Sequence, residues 1–303
     1  MHFSLLKINP PDANPSHGFD DVILPLLYAL RRLGYKAGIR FNAPDPASRN
    51  VVFGSCIAPR RTGRMLPKGS IVFNLEQIVP DNPWCNRDYM AHLRDFTVWD
   101  YSLANVAALR AAGVEAVHVP LGYVPEMTRL RTDCPRPVDA LFYGRLTDRR
   151  HVAVRRLLAA GVKVLVPEEA FGDARDALLA QSRLVLNIHN VPSARLEVVR
   201  LGYVFANRRP VLSERGPGTE VPEHLEEACV WADYEDLPEA AARLLGDGAR
   251  LEALAAAGFD AFASRPLTRT LAGVLGARCH VVDGGACRPP ATWHITEGNA
   301  ADF

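Results

Sequence analysis

The sequence predicts an α/β chain made of two Rossmann-like domains facing a cleft. Three observations carry that expectation. Short apolar runs alternate with amphipathic helical stretches along almost the whole chain, which is the signature of βαβ units and mainly parallel sheets. The chain has 303 residues, enough for two domains. The alternation breaks at 122–137, in the turn-forming runs Gly122-Tyr123-Val124-Pro125 and Thr132-Asp133-Cys134-Pro135-Arg136-Pro137, and then restarts. The expected layout is a first domain over 1–125, a second over 136–278 and a loosely held tail over 279–303, where Gly284-Gly285 and Pro289-Pro290 stand.

The elements follow in order. His2–Ile8 is an apolar strand ending at Asn9-Pro10-Pro11. A helix over Phe19–Leu33 follows, with Val22, Ile23, Leu26, Leu27, Leu30 and Leu33 at helical spacing. Pro25 suits it if it lies in the first turn, and Gly34 is the stop. Strands are expected at Ala37–Phe41, Val51–Gly54, Ile71–Leu75, Thr97–Trp99 and Ala116–Leu121, with helices over Arg87–Arg94 and Leu103–Ala112. In the second half, strand Val138–Tyr143 leads to a helix over Asp148–Ala160, capped by Thr147 and stopped by Gly161. Strands Val162–Val166, Leu184–Ile188, Pro210–Ser213 and Ala228–Trp231 alternate with helices over Asp173–Gln181 and over Ala194–Ala206, the latter capped by Ser193. Helices over Leu237–Leu245, Arg250–Ala261 and Thr268–Leu275 complete the reading.

Composition narrows the function. The chain is 48% hydrophobic and 23% charged, the make-up of a globular protein. Its 35 basic and 34 acidic residues leave a formal charge of +1, which argues against nucleic acid as a partner held by bulk charge. The start has no basic stretch before a long apolar run, so no signal peptide is expected, and no transmembrane segment of ~18 apolar residues is present. The cysteines Cys56, Cys85, Cys134, Cys229, Cys279 and Cys287 are scattered, without zinc spacing. They read as free thiols of a cytoplasmic, reducing compartment. P-loop, G-x-G-x-x-G, H-E-x-x-H and G-x-S-x-G motifs are all lacking.

In an open parallel sheet a ligand binds beyond the carboxyl ends of the strands. The loops there are Gly144-Arg145-Leu146-Thr147-Asp148-Arg149-Arg150, Pro167-Glu168-Glu169, His189-Asn190-Val191-Pro192-Ser193 and Glu214-Arg215-Gly216-Pro217-Gly218. The first runs from a strand through a glycine into a helix start rich in arginine. A helix start favours anions, so arginines there oppose the dipole, and binding a diphosphate supplies a reason for them. Arg149 and Arg150 are either phosphate ligands of this kind or solvated side chains. Glu197, in the expected first turn of a helix, is either an ordinary first-turn acid or a two-oxygen acceptor for a ribose diol. His189 is either a core-edge histidine satisfied by backbone or a ligand contact. Glu168-Glu169 reads as surface and Gly216-Pro217-Gly218 as a turn.

The runs Asp139-Ala140-Leu141-Phe142-Tyr143-Gly144, Asn187-Ile188-His189, Ser193 to Arg200 and Asn207-Arg208-Arg209-Pro210-Val211-Leu212-Ser213-Glu214 resemble the donor region of group 1 glycosyltransferases with the GT-B fold. Uncharacterised bacterial members and the spore-maturation type are the branch resembled. A weaker likeness extends to Asn74-Leu75-Glu76-Gln77, Trp99-Asp100-Tyr101-Ser102 and Pro120-Leu121-Gly122-Tyr123. The resemblance implies a nucleotide-sugar donor, UDP- or another NDP-sugar, on the second domain. It implies a small-molecule or peptide acceptor on the first, and no metal or other cofactor. By position, Glu197 matches the glutamate that holds the donor ribose, and Gly144 and Arg145 match the loop near the diphosphate. His189 stands where retaining members carry a second glutamate, eight residues before the first. The loop at Asn9-Pro10-Pro11-Asp12 lacks the glycine-rich turn of the family, and the segment from Glu197 to Pro210 is longer.

Sugar transfer passes through an oxocarbenium-like state and expels a diphosphate. The leaving group needs cations, for which Arg145, Arg149 and the Gly144 backbone are candidates. Donor contacts are expected from Gly144, Arg145, Arg149, His189, Ser193 and Glu197. Glu76, Asp100 and His17, in loops of the first domain, are the candidates for a base; each reads equally as a loop polar residue, and Asp100 as a helix cap. The rival to a transferase is a catalytically inactive nucleotide- or sugar-binding module. A third reading puts another nucleophile, a thiol or an amine, on a sugar donor.

Overall fold

The computed structural model describes residues 2–9, 14–79, 82–130, 134–167, 170–191, 195–276, 295 and 297. They form two compact units: residues 1–124 with 267–303, and residues 125–266.

The first unit runs β1 (His2–Lys7), α1 (Asp20–Arg32), β2 (Lys36–Phe41), β3 (Arg49–Phe53), α2 (Pro59–Met65), β4 (Ile71–Asn74), α3 (Arg87–Leu93), β5 (Thr97–Asp100), α4 (Leu103–Ala111) and β6 (Ala116–His118). Its six strands lie in the order β2-β1-β3-β4-β5-β6, every neighbouring pair parallel. The strands are nearly continuous apolar runs because helices cover both faces: Phe3, Leu5, Leu6, Val51, Val52, Ile71, Val72 and Val98 are all fully buried. Val22, Ile23, Leu26, Leu27 and Leu30 put the buried stripe of α1 on this sheet. Pro25 lies past the first turn, contrary to expectation, in a helix that starts at Asp20. It cannot donate to the carbonyl of Asp21, and the helix continues through it. Gly34 ends α1 at φ +81°, with its N–H on the Arg31 carbonyl and that of Tyr35 on Leu30, a left-handed cap that suits glycine.

The second unit runs β7 (Val138–Leu141), α5 (Asp148–Ala159), β8 (Val164–Leu165), α6 (Gly172–Ala180), β9 (Ser182–Asn187), α7 (Val198–Ala206), β10 (Val211–Glu214), β11 (Val230–Ala232), α8 (Leu237–Leu245) and α9 (Gly248–Ala263). Its sheet has the order β11-β10-β9-β7-β8, again parallel throughout. The core between sheet and helices is Ala140, Phe142, Leu157, Leu184, Leu186, Ile188, Leu212, Ala241 and Leu254.

Four differences from the sequence reading stand out, two of them with a local cause in a proline. The strand expected over Ala116–Leu121 stops at His118, just before Pro120, which has no N–H for a ladder. Helix α2 was not expected; Pro59 at its first position is a helix-start signal, obscured by a short, arginine-rich segment with an internal glycine. Helix α7 begins at Val198 rather than Ala194, and Ser193 lies outside the described residues. The last helix, α10 (Leu267–Leu275), expected in the second domain, groups with the first unit. It packs on α1, and the Leu267 N–H bonds the Tyr123 carbonyl at 3.0 Å. The expected tail lies outside the described residues apart from Ile295 and Glu297.

Candidate functional site

Strand order places the site in the second unit. From β7 the chain moves outward to β8, then returns to place β9 on the other side of β7. The loops after β7 and β9 therefore leave in opposite directions and open a crevice at the carboxyl edge of the sheet. Gly144-Arg145 and His189 stand in those two loops.

Gly144 has φ +117°, and a Cβ built on it would lie 2.7 Å from Nη2 of Arg200. The positive φ is what favours glycine here; a Cβ would also displace the end of the Arg200 side chain. Arg200 donates Nη1 to Oδ1 of the buried Asn187 at the end of β9, at 2.8 Å. Arg145 is exposed, and its guanidinium has no hydrogen bond or ion pair among the described residues. Thr147 occupies the N-cap position of α5 as expected, but its hydroxyl makes no capping bond. Its Oγ1 is buried and unpaired among the described residues.

The two neighbouring arginines are not left to solvent; protein groups hold both. Arg149 grips Glu214 with both nitrogens, Nη1 to Oε2 at 2.8 Å, donates Nη1 to the His189 carbonyl at 2.9 Å, and lies over the Tyr234 ring. Arg150 donates Nε to the Ile188 carbonyl and Nη1 to the Arg145 carbonyl, each at 2.8 Å. Burial, with Arg200 nearby, lowers Arg150 to about 10, so it stays charged at neutral pH. Both side chains brace the β7 and β9 loops against each other. The carbonyls of the buried Ile188 and His189 are out of water, and a charged donor compensates for that.

Glu197 sits just before α7 with φ −78° and ψ 66°, not inside the helix's first turn, and its carboxylate does not cap it. The side chain turns toward β9. Oε2 accepts from Asn187 Nδ2 at 3.0 Å and lies 2.9 Å from Nδ1 of His189; among the described residues Oε1 has Arg150 Nη2 alone, at 3.5 Å. Burial pushes this carboxyl up, but the His189 hydrogen bond, the nearby Arg200 guanidinium and the Asn187 bond outweigh it and hold Glu197 below its usual range. With Oε2 committed twice, Oε1 is the oxygen open to a further donor, so a ribose hydroxyl would meet one oxygen rather than both.

His189 is fully buried. Its ring is satisfied by side chains, not by backbone: Nδ1 by Glu197 and Nε2 by Thr219 Oγ1 at 2.7 Å. Its backbone N–H donates to Glu214 Oε2 at 2.9 Å. Asn187, Arg200 and Thr219 were not singled out from the sequence. Arg200 lies one helical turn after Glu197, the one local signal among the three.

The candidate bases lie in the first unit. Glu76 follows β4, half-buried; Oε1 accepts from Cys56 Sγ at 3.5 Å and Oε2 from Asn82 Nδ2 at 3.2 Å. Burial raises its pKa above the usual carboxylate value, and those two bonds offset part of the rise. Asp100 is fully buried and accepts from Asn74 Nδ2 at 2.6 Å, Asn105 Nδ2 at 3.0 Å and the Ser102 N–H at 2.7 Å. It fixes the ends of β4 and β5. The cap of α4 is Ser102, not Asp100. His17 is half-buried on a 3-10 segment, Asn14–Phe19. The switch point of this sheet lies elsewhere, between β1 and β3. Lys7 and Asp20, at 1% and 3% side-chain exposure, form an ion pair, Asp20 Oδ2 accepts the Ile295 N–H at 3.0 Å, and a Cβ on Gly54 would strike Phe19 at 2.6 Å.

Among the described residues no cluster of three metal-ligating side chains occurs, and no helix is long and apolar enough to cross a membrane.

No family model matches the chain. It is 28% identical over 151 residues to the uncharacterized protein L140 of Acanthamoeba polyphaga mimivirus, a stretch that covers 48% of each chain. The chain thus spans about half the length of the curated relative it matches. Solved structures are similar over far more of it. HepE of Anabaena in complex with UDP-glucose has a TM-score of 0.63 at 12% identity, over 91% of this chain and 99% of that one. WaaG, a glycosyltransferase involved in lipopolysaccharide biosynthesis, gives 0.59 at 12% identity, over 94% and 100%. The sucrose-phosphate synthase of Thermosynechococcus elongatus gives 0.58 at 12% identity, over 91% and 98%. Two parallel sheets with helices on their faces, matched over nine-tenths of the chain by these enzymes, are the GT-B fold.

Proposed function

We propose that the chain is a group 1-type glycosyltransferase, resembling the spore-maturation branch, that takes a sugar from a nucleotide-sugar held at the switch point of the second sheet. One observation carries this reading. Arg150 bonds the Arg145 carbonyl at 2.8 Å and reaches Glu197 Oε1 at 3.5 Å, so the phosphate-type turn and the ribose-type carboxylate lie on one edge of one sheet, spanned by a single guanidinium. In this reading Arg145 and Arg200 supply positive charge to the diphosphate. The Thr147 hydroxyl and the free N–H groups at the start of α5 supply hydrogen bonds. Charge that grows on the leaving oxygen during transfer then meets donors already in place, which is how such a site lowers the barrier. Glu197 Oε1 accepts a ribose hydroxyl, while Asn187 and His189 hold the carboxylate still. Glu76 is the proposed proton acceptor, because a carboxyl raised by burial is a better base at neutral pH than an ordinary one. The acceptor is a small molecule or peptide, and no metal is required.

Titration calorimetry with UDP, GDP and dTDP, run beside a turnover assay with the matching sugar nucleotides, tests the proposal. Binding of one nucleotide with release of free diphosphonucleoside supports it. Binding without turnover on any acceptor marks an inactive binding module, and no binding at all overturns both. Glu76→Gln is expected to leave nucleotide affinity intact and to lower turnover about hundredfold; an unchanged rate removes Glu76 as the base.

A further inference from the structure

Three side chains of the second unit stand in the order carboxylate, imidazole, hydroxyl. Glu197 Oε2 lies 2.9 Å from His189 Nδ1, and His189 Nε2 lies 2.7 Å from Thr219 Oγ1. This is the arrangement that activates a hydroxyl: a base within hydrogen-bond reach of it, and a third group that fixes the base's orientation and tautomer. We propose that Glu197, His189 and Thr219 form a proton relay that makes Thr219 an internal acceptor, so that the chain transfers a sugar from a nucleoside-diphosphate donor onto its own 215–219 loop.

The hydrogen-bond inventory supports this direction. An ionised Glu197 only accepts, so Nδ1 of His189 carries a proton and Nε2 is free to take one. The Thr219 hydroxyl already accepts the Gly216 N–H at 2.9 Å. Its own proton therefore points to Nε2, and one lone pair of Oγ1 stays available. The imidazole cannot turn away. The ring is fully buried, and the backbone that carries it is held at both ends, the His189 N–H by Glu214 and the His189 carbonyl by Arg149. Thr219 itself is half-exposed on the loop after β10, at the carboxyl edge where the donor is proposed to bind.

The step balances. The Thr219 Oγ1–C1 bond forms as the bond from C1 to the diphosphate oxygen breaks. The hydroxyl proton passes to Nε2 of His189, and the nucleoside diphosphate leaves. The product is a threonine O-glycoside, an acetal without a good leaving group, so it accumulates on the protein. Position explains why a histidine serves here. An imidazole offers a donor nitrogen to Glu197 and an acceptor nitrogen to the Thr219 hydroxyl at the same time.

The inference rests on the nucleotide-sugar reading, and the experiment separates the two. The full chain is incubated separately with UDP-glucose, UDP-galactose, UDP-N-acetylglucosamine and GDP-mannose, and examined by intact mass and peptide mapping, while UDP and GDP binding is measured by calorimetry. The expected result is one glycosyl unit on the peptide carrying Thr219. Thr219→Ser retains it, Thr219→Val loses it, and His189→Gln slows its appearance about hundredfold. A chain that binds nucleotide but gains no sugar from any of the four donors overturns the relay and leaves the donor site standing. A chain that binds neither nucleotide overturns both. Incorporation at an undiminished rate in His189→Gln, with the variant's melting curve unchanged, shows that Thr219 reacts without the relay and also overturns the inference.

Discussion

The two sheets share a direction of travel and a switch point, yet their carboxyl edges are built differently. In the first, the ends of β1 and β3 carry the Lys7–Asp20 pair, the Ile295 N–H on Asp20 and Phe19 packed on Gly54. In the second, the corresponding place holds an exposed arginine, a strained glycine and a carboxylate with one oxygen to spare. Topology locates a crevice in both; side chains decide whether it is left usable. Where charged groups of the second edge are buried they brace loops, and where they are exposed they face solvent and any ligand. On the first edge the charges pair among themselves, and the accessible polar chemistry shifts sideways to Glu76 after β4.

The contrast breaks most sharply with the buried pairs. Removing one member of such a pair leaves an uncompensated charge and costs about 3–5 kcal/mol. Lys7→Met and Glu214→Gln are both expected to fall in that range by chemical denaturation. Only Glu214→Gln should also weaken nucleotide binding, because Glu214 holds Arg149 and the His189 N–H. Equal losses of nucleotide affinity in the two variants would erase the distinction between the edges.

The next effect belongs to acid. His92 on α3 is buried, neither ring nitrogen has a partner among the described residues, and burial lowers it to about 4 from 6.5. The unfolded chain therefore binds this proton more readily than the folded one, and stability falls as pH drops from about 6.5 toward 4, by about 3 kcal/mol in all. Asp20, raised to about 6 by burial against the opposing pull of Lys7, acts in the other sense over part of that window. His92→Phe, between the rings of Tyr89 and Phe96, is expected to flatten the acid limb measured by urea unfolding at a series of pH values. A limb as steep as the wild type's would exclude His92 as its source.

Smaller effects sharpen the second edge. Gly144→Ala forces a side chain to φ +117° and against Arg200, at a cost of about 1–3 kcal/mol in stability, together with at least a tenfold weaker UDP titration. Arg145→Ala should leave the melting point nearly unmoved, within about 0.5 kcal/mol. It should still lose about 1.5–3 kcal/mol of nucleotide affinity if it meets the diphosphate. A variant that binds UDP as tightly as the parent would remove Arg145 from the site.

Periodicity made most of this legible. Strands and helices of both units are local features, and the apolar stripe of α1 or the glycine stop after it is written in adjacent residues. The turn after β7 was equally readable, since a strand, a glycine and a helix start follow one another. What could not be read was direction. Arg149 and Arg150 are basic in any reading, but their burial depends on Glu214 and the carbonyls of Ile188 and His189, from 38 to 65 residues away. Thr219 became part of the site only through the pairing of β9 with β10, which brings its loop to His189. The same holds for Asp100: its position after a strand suggested a base, and only the neighbouring Asn74 and Asn105 show it committed to the loop.

One backbone contact has a consequence for synthesis. Leu267 bonds to Tyr123, so the two stretches of the first unit that flank residues 125–266 are tied to each other. A ribosome delivers chain from the amino end, and domains generally fold in that order. Here the inserted module is complete before the helix that finishes its host has been made. The segment translated first is therefore the last to reach its final form, and shortening the carboxyl terminus would injure the amino-terminal half.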